Sequence, residues 1–176
     1  MSFLLFPDLL FDRYDELTAD YLKEKGVQLL LSDLDNTLAL HETRRPTEEV
    51  RAWVKSLTDA GIQVMIVSNN RSPARVEAYC HDIGIPYVGH AGKPKRGRLL
   101  EAMRMGNATP ETTALLGDQI FTDVLGARRC GFQSFCVEPV CGRDSLWHWV
   151  AYWLQNPFRV TARRRRKKEK QQMHKS

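Results

Sequence analysis

The chain has 176 residues, which is enough for one domain with a sizeable hydrophobic core. Hydrophobic residues make up 43% and charged residues 27%, as in a soluble globular protein, and no apolar run approaches the ~20 residues of a membrane span. The formal net charge of +5 is unevenly spread, because residues 163–176 hold eight basic residues and one acidic residue, which leaves about −2 for the other 162. These values exclude a transmembrane protein and indicate a mildly acidic domain with a basic tail.

The cysteines and the start of the chain bear on its location. The four cysteines form no Cys-x-x-Cys pair, which favours idle or buried reduced thiols over a zinc site. Asp8 and Asp12 interrupt the apolar start, and no basic segment precedes it, so the start does not match a signal peptide. We therefore expect a cytoplasmic protein.

Apolar runs alternate with helical patterns along the chain. Strands are predicted at 27–31, 62–67, 86–88, 113–116 and 132–137. Helices are predicted at 12–25, 46–60, 73–83, 96–105 and 122–130. This alternation predicts parallel βαβ units in a doubly wound, mainly parallel α/β sheet. We expect the domain to span residues 1–157 and residues 158–176 to form a disordered basic tail.

Polar residues stand at the ends of three predicted strands and in one intervening loop. They are Asp33 and Asp35, then Ser68 and Asn69, then Lys93, then Asp118 and Asp123. Each has an ordinary interpretation, since such residues also cap helices, form turns or lie in solvent. In a parallel sheet, however, all these strand ends open on one edge. Closely spaced carboxylates there favour a divalent cation, and Mg²⁺ commonly binds one or two carboxylates together with substrate phosphate oxygens.

The same residues resemble the motifs of the haloacid dehalogenase superfamily. Asp33-Leu34-Asp35-Asn36-Thr37 resembles the first motif, Ser68 the second, Lys93 the third and the segment 117–123 the fourth. The finer resemblance is to the YqeG branch of the subclass IIIA phosphatases. The stretches that carry it are Ile66-Val67-Ser68-Asn69-Asn70, Gly92-Lys93-Pro94 and Gly117-Asp118-Gln119 through Leu125-Gly126. The resemblance covers roughly residues 5–140 and implies a Rossmann-like fold of this superfamily.

The resemblance implies a phosphomonoester hydrolase with an aspartyl-phosphate intermediate. Asp33 would be the nucleophile, and Asp35 would protonate the leaving oxygen and then activate water. Mg²⁺ would bind the carboxylates of Asp33 and Asp118 and the main-chain carbonyl of Asp35.

The resemblance also implies a phosphate-binding group beside these acids. Ser68, Asn69 and Lys93 would hold the phosphoryl oxygens. Asp123 would orient Lys93 or hydrogen-bond to the groups that bind the metal directly, and Thr37 would support the first motif.

The spacing of the motifs leaves no room for an inserted cap domain. About 30 residues separate Thr37 from Ser68, and about 25 separate Ser68 from Lys93, which is one helix and one strand in each case. We therefore expect an open site for a large or surface-bound phosphorylated substrate. The resemblance of this branch to phosphatidylglycerophosphate phosphatases points to a phospholipid of that kind.

The C-terminal region leaves several interpretations open. Residues 145–154 hold three of the four tryptophans and predict a helix, packed on the sheet or lying at a membrane interface. The basic run at 163–170 is a solvated tail, an anionic-membrane contact or an RNA contact. Membrane contact would make the protein peripheral. The alternative function is a nucleic-acid-associated or regulatory binding protein on the same fold, and the intact Asp33 and Asp35 pair favours the enzyme.

Overall fold

The computed structural model describes residues 4–140, 154–164 and 166. The strands are β1 (Leu9–Phe11), β2 (Leu29–Ser32), β3 (Gln63–Val67), β4 (Tyr87–Val88), β5 (Thr113–Gly117) and β6 (Gln133–Val137). The helices are α1 (Ala19–Glu24), α2 (Glu48–Asp59), α3 (Pro73–Ile83), α4 (Arg96–Met105) and α5 (Leu125–Cys130). Short 3₁₀ turns cover Tyr14–Glu16 and Pro110–Thr112, and a π-helical turn covers Ile120–Val124.

The strands form one six-stranded sheet in the order β1-β6-β5-β2-β3-β4, and every neighbouring pair is parallel. The prediction of a doubly wound parallel α/β fold is confirmed. From β2 the chain first builds one side of the sheet and then crosses to build the other. The carboxyl end of β2 therefore lies at the point where the strand order reverses, which is where such sheets bind ligands.

Side-chain alternation along the central strands creates two cores. On β2, Leu30 packs on one face, whereas Leu29 and Leu31 pack on the other. Helices α1, α2 and α3 cover the first face, and α4 and α5 cover the second. Burial on both faces explains why β2, β3 and β5 are continuous apolar runs.

The expected absence of a cap agrees with the described part of the fold. Between Thr37 and Ser68 the chain forms α2, β3 and their connecting loops. Within the described ranges, no helix combines the length and the apolar character that crossing a bilayer requires.

Two local predictions differ from the structure at the N-terminal side. The start of the chain contributes a strand, β1, whose partner β6 lies far along the sequence. The helix predicted at 12–25 is instead a 3₁₀ turn followed by α1, which begins after Thr18, where the hydroxyl accepts a hydrogen bond from the Tyr21 N–H.

The helix predicted at 122–130 is also irregular. It starts with the π-helical turn Ile120–Val124, and only Leu125–Cys130 is α-helical. Such single π turns are common at functional sites.

The expected disordered tail is wrong for residues 158–164. Residues 154–164 are helical, so this C-terminal helix crosses the expected boundary at 157. Gln155, Arg159 and Ala162 are buried. A basic sequence predicts a solvated segment, but here the guanidinium groups find acceptors on the domain. The aromatic helix predicted at 145–154 lies, apart from its last residue, outside the described residues, as does most of the run 163–170.

Candidate active site

A cavity of about 580 Å³ opens at the carboxyl edge of the sheet. Its walls come from the segments 33–36, 69–72 and 119–123, together with His41 and Lys93. These segments follow β2, β3 and β5, so the predicted meeting of strand ends is what the fold produces. Within the described residues, no inserted domain covers this cavity.

Lys93 lies at the centre of this site between two carboxylates. Its Nζ is 2.6 Å from Asp33 Oδ1 and 2.7 Å from Asp123 Oδ1, and its side chain is only 2% exposed. Burial alone lowers the pKa of Lys93, but the Asp123 and Asp33 carboxylates outweigh that effect and raise it. Lys93 is therefore a fixed positive charge.

Three buried carboxylates surround this single ammonium group. Asp33, Asp118 and Asp123 each place one oxygen within 4.8 Å of the others. Asp118 Oδ1 is buried and finds no hydrogen-bond donor among the described residues. Burial, together with nearby carboxylates, raises the pKa of Asp33 to about 7 and raises that of Asp118 well above its ordinary value.

This donor set fits a hard divalent cation. The ligand atoms available are all carboxylate oxygens, which suit Mg²⁺. A cation would also supply the positive charge that Lys93 alone cannot provide to three acids, and it would give the orphaned Asp118 oxygen a partner. Asp33 and Asp118 would be its direct ligands, with Asp123 beside them.

Asp123 is held in place by its own π-helical turn. Its Oδ2 accepts hydrogen bonds from the Gln119 N–H at 3.1 Å and from the Thr122 hydroxyl at 3.3 Å. A Cβ atom on Gly117 would lie 2.3 Å from Asp123 Cγ, so the side chain occupies space that only glycine leaves open. The fourth motif thus needs its glycine for packing as well as its acids for charge.

Asp35 occupies a different part of the cavity wall. Arg75 Nη1 donates to its Oδ1 at 2.7 Å, Asn70 Nδ2 donates to its Oδ2 at 2.7 Å, and His41 Nδ1 is 3.5 Å away. Its carboxylate is not part of the acidic cluster around Lys93. Nothing in the sequence marks these partners, because Arg75 looks like an ordinary helix residue and His41 belongs to none of the motifs.

The predicted phosphate ligands are arranged less directly. Ser68 is buried, and its oxygen accepts a hydrogen bond from the Asn70 N–H at 3.0 Å. The amide of Asn69 binds the main chain of Lys93 in both directions, at 3.0 and 2.9 Å. Asn69 lines the cavity, but its side-chain hydrogen bonds fix the Lys93 loop rather than leave a free amide for phosphate. Thr37 is fully buried, and its hydroxyl has no hydrogen-bond partner in the described part of the chain.

The C-terminal helix supports the fourth motif from outside the cavity. Arg159 is 2% exposed and donates to the main-chain carbonyls of Asp118 and Val137. The side-chain Oε1 of Gln155 accepts a hydrogen bond from the Ile120 N–H at 2.7 Å. These two residues were also missed, since nothing in a basic, polar sequence signals burial against a distant loop.

Comparison with known proteins shows the family of this chain. The model of the haloacid dehalogenase-like hydrolase family matches residues 5–131, and the chain belongs to that family. Among named relatives, "Probable phosphatase YqeG" of Bacillus subtilis (strain 168) is 35% identical over 140 residues, which is 80% of this chain and 81% of that protein. The chain is thus an enzyme of the phosphatase class within the family, similar to YqeG.

Solved structures share the fold. A 3-deoxy-D-manno-octulosonate 8-phosphate phosphatase from Moraxella catarrhalis, in complex with magnesium, phosphate and KDO, has a TM-score of 0.53 at 18% identity, covering 81% of this chain and 92% of its own. The cobalt-bound deoxy-D-mannose-octulosonate 8-phosphate phosphatase from Haemophilus influenzae has a TM-score of 0.53 at 22% identity, covering 65% of this chain and 70% of its own. At these identities the likeness shows the fold alone.

Proposed function

We propose that this protein is a Mg²⁺-dependent phosphatase that cleaves phosphate monoesters through an aspartyl-phosphate on Asp33. The observation that carries the proposal is the buried pair of Asp33 and Lys93, 2.6 Å apart at the floor of an open cavity. At that distance both groups can act on one phosphoryl group: the Asp33 carboxylate attacks phosphorus, and the Lys93 ammonium group binds the phosphoryl oxygens.

The chemistry divides between the two acids of the first motif. An Asp33 oxygen attacks phosphorus, the ester P–O bond breaks, and the protonated Asp35 carboxyl gives its proton to the departing oxygen. In the second step Asp35 takes a proton from water, which attacks the phosphorus of the aspartyl-phosphate and releases inorganic phosphate. Lys93 faces the phosphoryl oxygens throughout, Ser68 adds a hydroxyl, and Asp123 keeps Lys93 in place.

Bound Mg²⁺ would offset the negative charge of the acids and of the phosphoryl group, so that an anionic nucleophile can approach an anionic substrate. The acidic cluster and its orphaned Asp118 oxygen support this part of the proposal. Asp35 would contribute its main-chain carbonyl rather than its carboxylate.

The test compares the parent with Asp33→Asn on a generic aryl phosphate, with Mg²⁺ and with a chelator. We expect Mg²⁺-dependent turnover in the parent and none in the variant. Mass spectrometry of Asp35→Asn protein should detect a phosphorylated Asp33 peptide, because the water-activating carboxylate is gone. Substantial Mg²⁺-dependent hydrolysis by Asp33→Asn would refute the assignment.

The natural substrate is proposed to be a phosphate monoester on a large or surface-bound molecule, with a phosphatidylglycerophosphate-like lipid as the specific candidate. The open cavity supports this class. We expect a phosphorylated lipid in mixed micelles to be hydrolysed with a higher kcat/KM than small sugar phosphates or nucleotides. Preference for a small sugar phosphate would contradict it.

The structure gives little support to a membrane or RNA contact through residues 163–170. Arg163 binds Glu138, and Arg166 stacks on Phe11 and Tyr21 with ring-centroid distances of 4.5 and 4.8 Å. Both side chains are therefore used within the domain. Among the described residues, Cys80, Cys130 and Cys136 are free and buried, which supports the proposal of a cytoplasmic location. Sedimentation with anionic vesicles and gel shifts with RNA, each with the full chain, test the two contacts.

A further inference from the structure

Arg75 binds the carboxylate of the proposed acid, Asp35, from the first turn of helix α3. It is the third residue of α3, and its side chain is only 12% exposed. The guanidinium group makes three contacts at once, to Asp35 Oδ1 at 2.7 Å, to the Leu40 carbonyl at 2.8 Å and to the Thr43 carbonyl at 2.9 Å. Because all three nitrogens of this planar guanidinium group donate hydrogen bonds, the group is pre-organised and loses little entropy when it binds Asp35.

Asn70 completes the arrangement from the other side of Asp35. Its Nδ2 donates to Asp35 Oδ2 at 2.7 Å, and its own Oδ1 accepts the Ser72 N–H at 2.7 Å. Each oxygen of the Asp35 carboxylate thus has a donor from the segment that runs from the end of β3 into the first turn of α3. Since that segment also follows Ser68, it links the phosphate-binding side of the cavity to the acid.

The contacts of Arg75 with Leu40 and Thr43 extend this effect to the loop after the first motif. That loop carries His41, which lines the cavity and lies 3.5 Å from Asp35. Without Arg75, both the Asp35 side chain and the loop that borders it would lose their anchor on α3.

We propose that Arg75, together with Asn70, is a positioning residue that fixes Asp35 for proton transfer. The proposal rests on the proposed function, because it assigns Asp35 as the acid. A carboxyl group that must reach a leaving oxygen within hydrogen-bond distance gains from a fixed side-chain angle. The hydrogen bonds described for Arg75 go to Asp35, Leu40 and Thr43, and none goes to Asp33.

A series of substrates with different leaving groups distinguishes this role from a structural one. A dinitrophenyl leaving group departs as a stable anion and needs no proton, whereas the alkoxide of an alkyl phosphate does. We expect Arg75→Lys and Arg75→Gln to lose kcat on an alkyl phosphate by roughly tenfold more than on dinitrophenyl phosphate. An equal loss on both substrates would overturn the proposal.

Arg51 supplies a matched control. It lies on α2, pairs with Asp82 Oδ2 at 2.5 Å and donates to the Asp82 carbonyl at 2.5 Å, outside the cavity. Arg51→Gln removes a comparable arginine–aspartate contact, and we expect it to leave the ratio of the two rates unchanged.

A double-mutant cycle adds a second test. Because Arg75 acts through Asp35, Asp35→Asn combined with Arg75→Lys should be no slower on the alkyl phosphate than Asp35→Asn alone. Additive losses would overturn the proposal. If both Arg75 variants fail to fold, Asn70→Ala takes their place in both experiments, with the same expected ratio and the same contrary result.

The parent enzyme separates this proposal from the one on which it rests. If the parent hydrolyses neither phosphate ester with Mg²⁺, the proposed function fails. If it hydrolyses both but the Arg75 variants lose rate equally, only the positioning role fails.

Discussion

The uncompensated charge around Lys93 predicts that removing the proposed nucleophile stabilises the metal-free protein. Burial is the largest cause that raises the pKa of Asp33 from its ordinary value of 3.8 to about 7 in the folded chain. The folded state therefore binds more protons than the unfolded state between these pH values, so the stability of the parent falls as the pH rises through this window. The full difference corresponds to at most about 4 kcal/mol, since one pKa unit is about 1.4 kcal/mol.

The Asp33→Asn variant has no carboxyl group at this position, so it does not lose stability in this way as the pH rises. In a chelator, its advantage over the parent should grow by roughly 2–3 kcal/mol between about pH 5 and about pH 8, because near pH 5 only part of the penalty is present. Comparing the two pH values cancels any pH-independent cost of the asparagine. Urea denaturation followed by circular dichroism at each pH measures the free energies of unfolding.

When Mg²⁺ is present, we expect the parent to become more stable than Asp33→Asn. A ligand that binds only the folded state stabilises it by about 2.7 kcal/mol at a hundred times its Kd, and the variant has lost one carboxylate of the site. Asp59→Asn is the control, because Asp59 is 62% exposed in a surface pair with Lys55 and should change stability little at any pH. A variant that is less stable than the parent at both pH values by the same amount would refute the reasoning about buried charge.

Three further outcomes are expected. Asp118→Ala should weaken Mg²⁺ binding by roughly tenfold or more in calorimetric titration, because it removes one of three carboxylates; equal affinity would contradict its role. Arg159→Met should lower the free energy of unfolding by about 2–3 kcal/mol, since two buried carbonyls lose a donor, and should also weaken Mg²⁺ binding through the Asp118 loop. Lower stability with unchanged Mg²⁺ affinity would show that Arg159 serves packing alone. Burial raises the pKa of Cys80 and Cys136 to about 12, so a thiol reagent at about pH 8 should label neither until the chain is unfolded, as read by peptide mass mapping; rapid labelling of either in the native protein would show that the strand and helix around it open.

The elements that the sequence predicted well carry their signals locally. Helix α3 has the predicted bounds because Pro73 opens it and Gly84, at a φ of 76°, closes it. The acidic cluster of Asp33, Asp118 and Asp123 and its partner Lys93 were also picked out from the sequence, since they lie in the segments that follow predicted strands. Parallel topology then brings those strand ends together without further information.

The parts that sequence analysis missed depend on distant contacts. Strand β1 has only three residues and forms because β6 offers it an edge. Arg75 and Arg159 are ordinary in a helical or basic sequence, and their burial becomes visible only when Asp35 and the Asp118 loop lie beside them. A polar residue whose partner is more than 30 positions away leaves no periodic pattern to detect.

The pairing of β1 with β6 has a consequence for synthesis of the chain. Asp8 and Ser134, which exchange hydrogen bonds beside these strands, are 126 residues apart. On the ribosome β1 therefore stays without its partner until nearly all of the domain has emerged, while the other edge of the sheet is already in place. Until then β5 presents an open backbone edge, and such edges are where neighbouring nascent chains pair and aggregate. Trimming the first dozen residues to ease expression would remove β1 and leave the backbone edge of β6 open permanently.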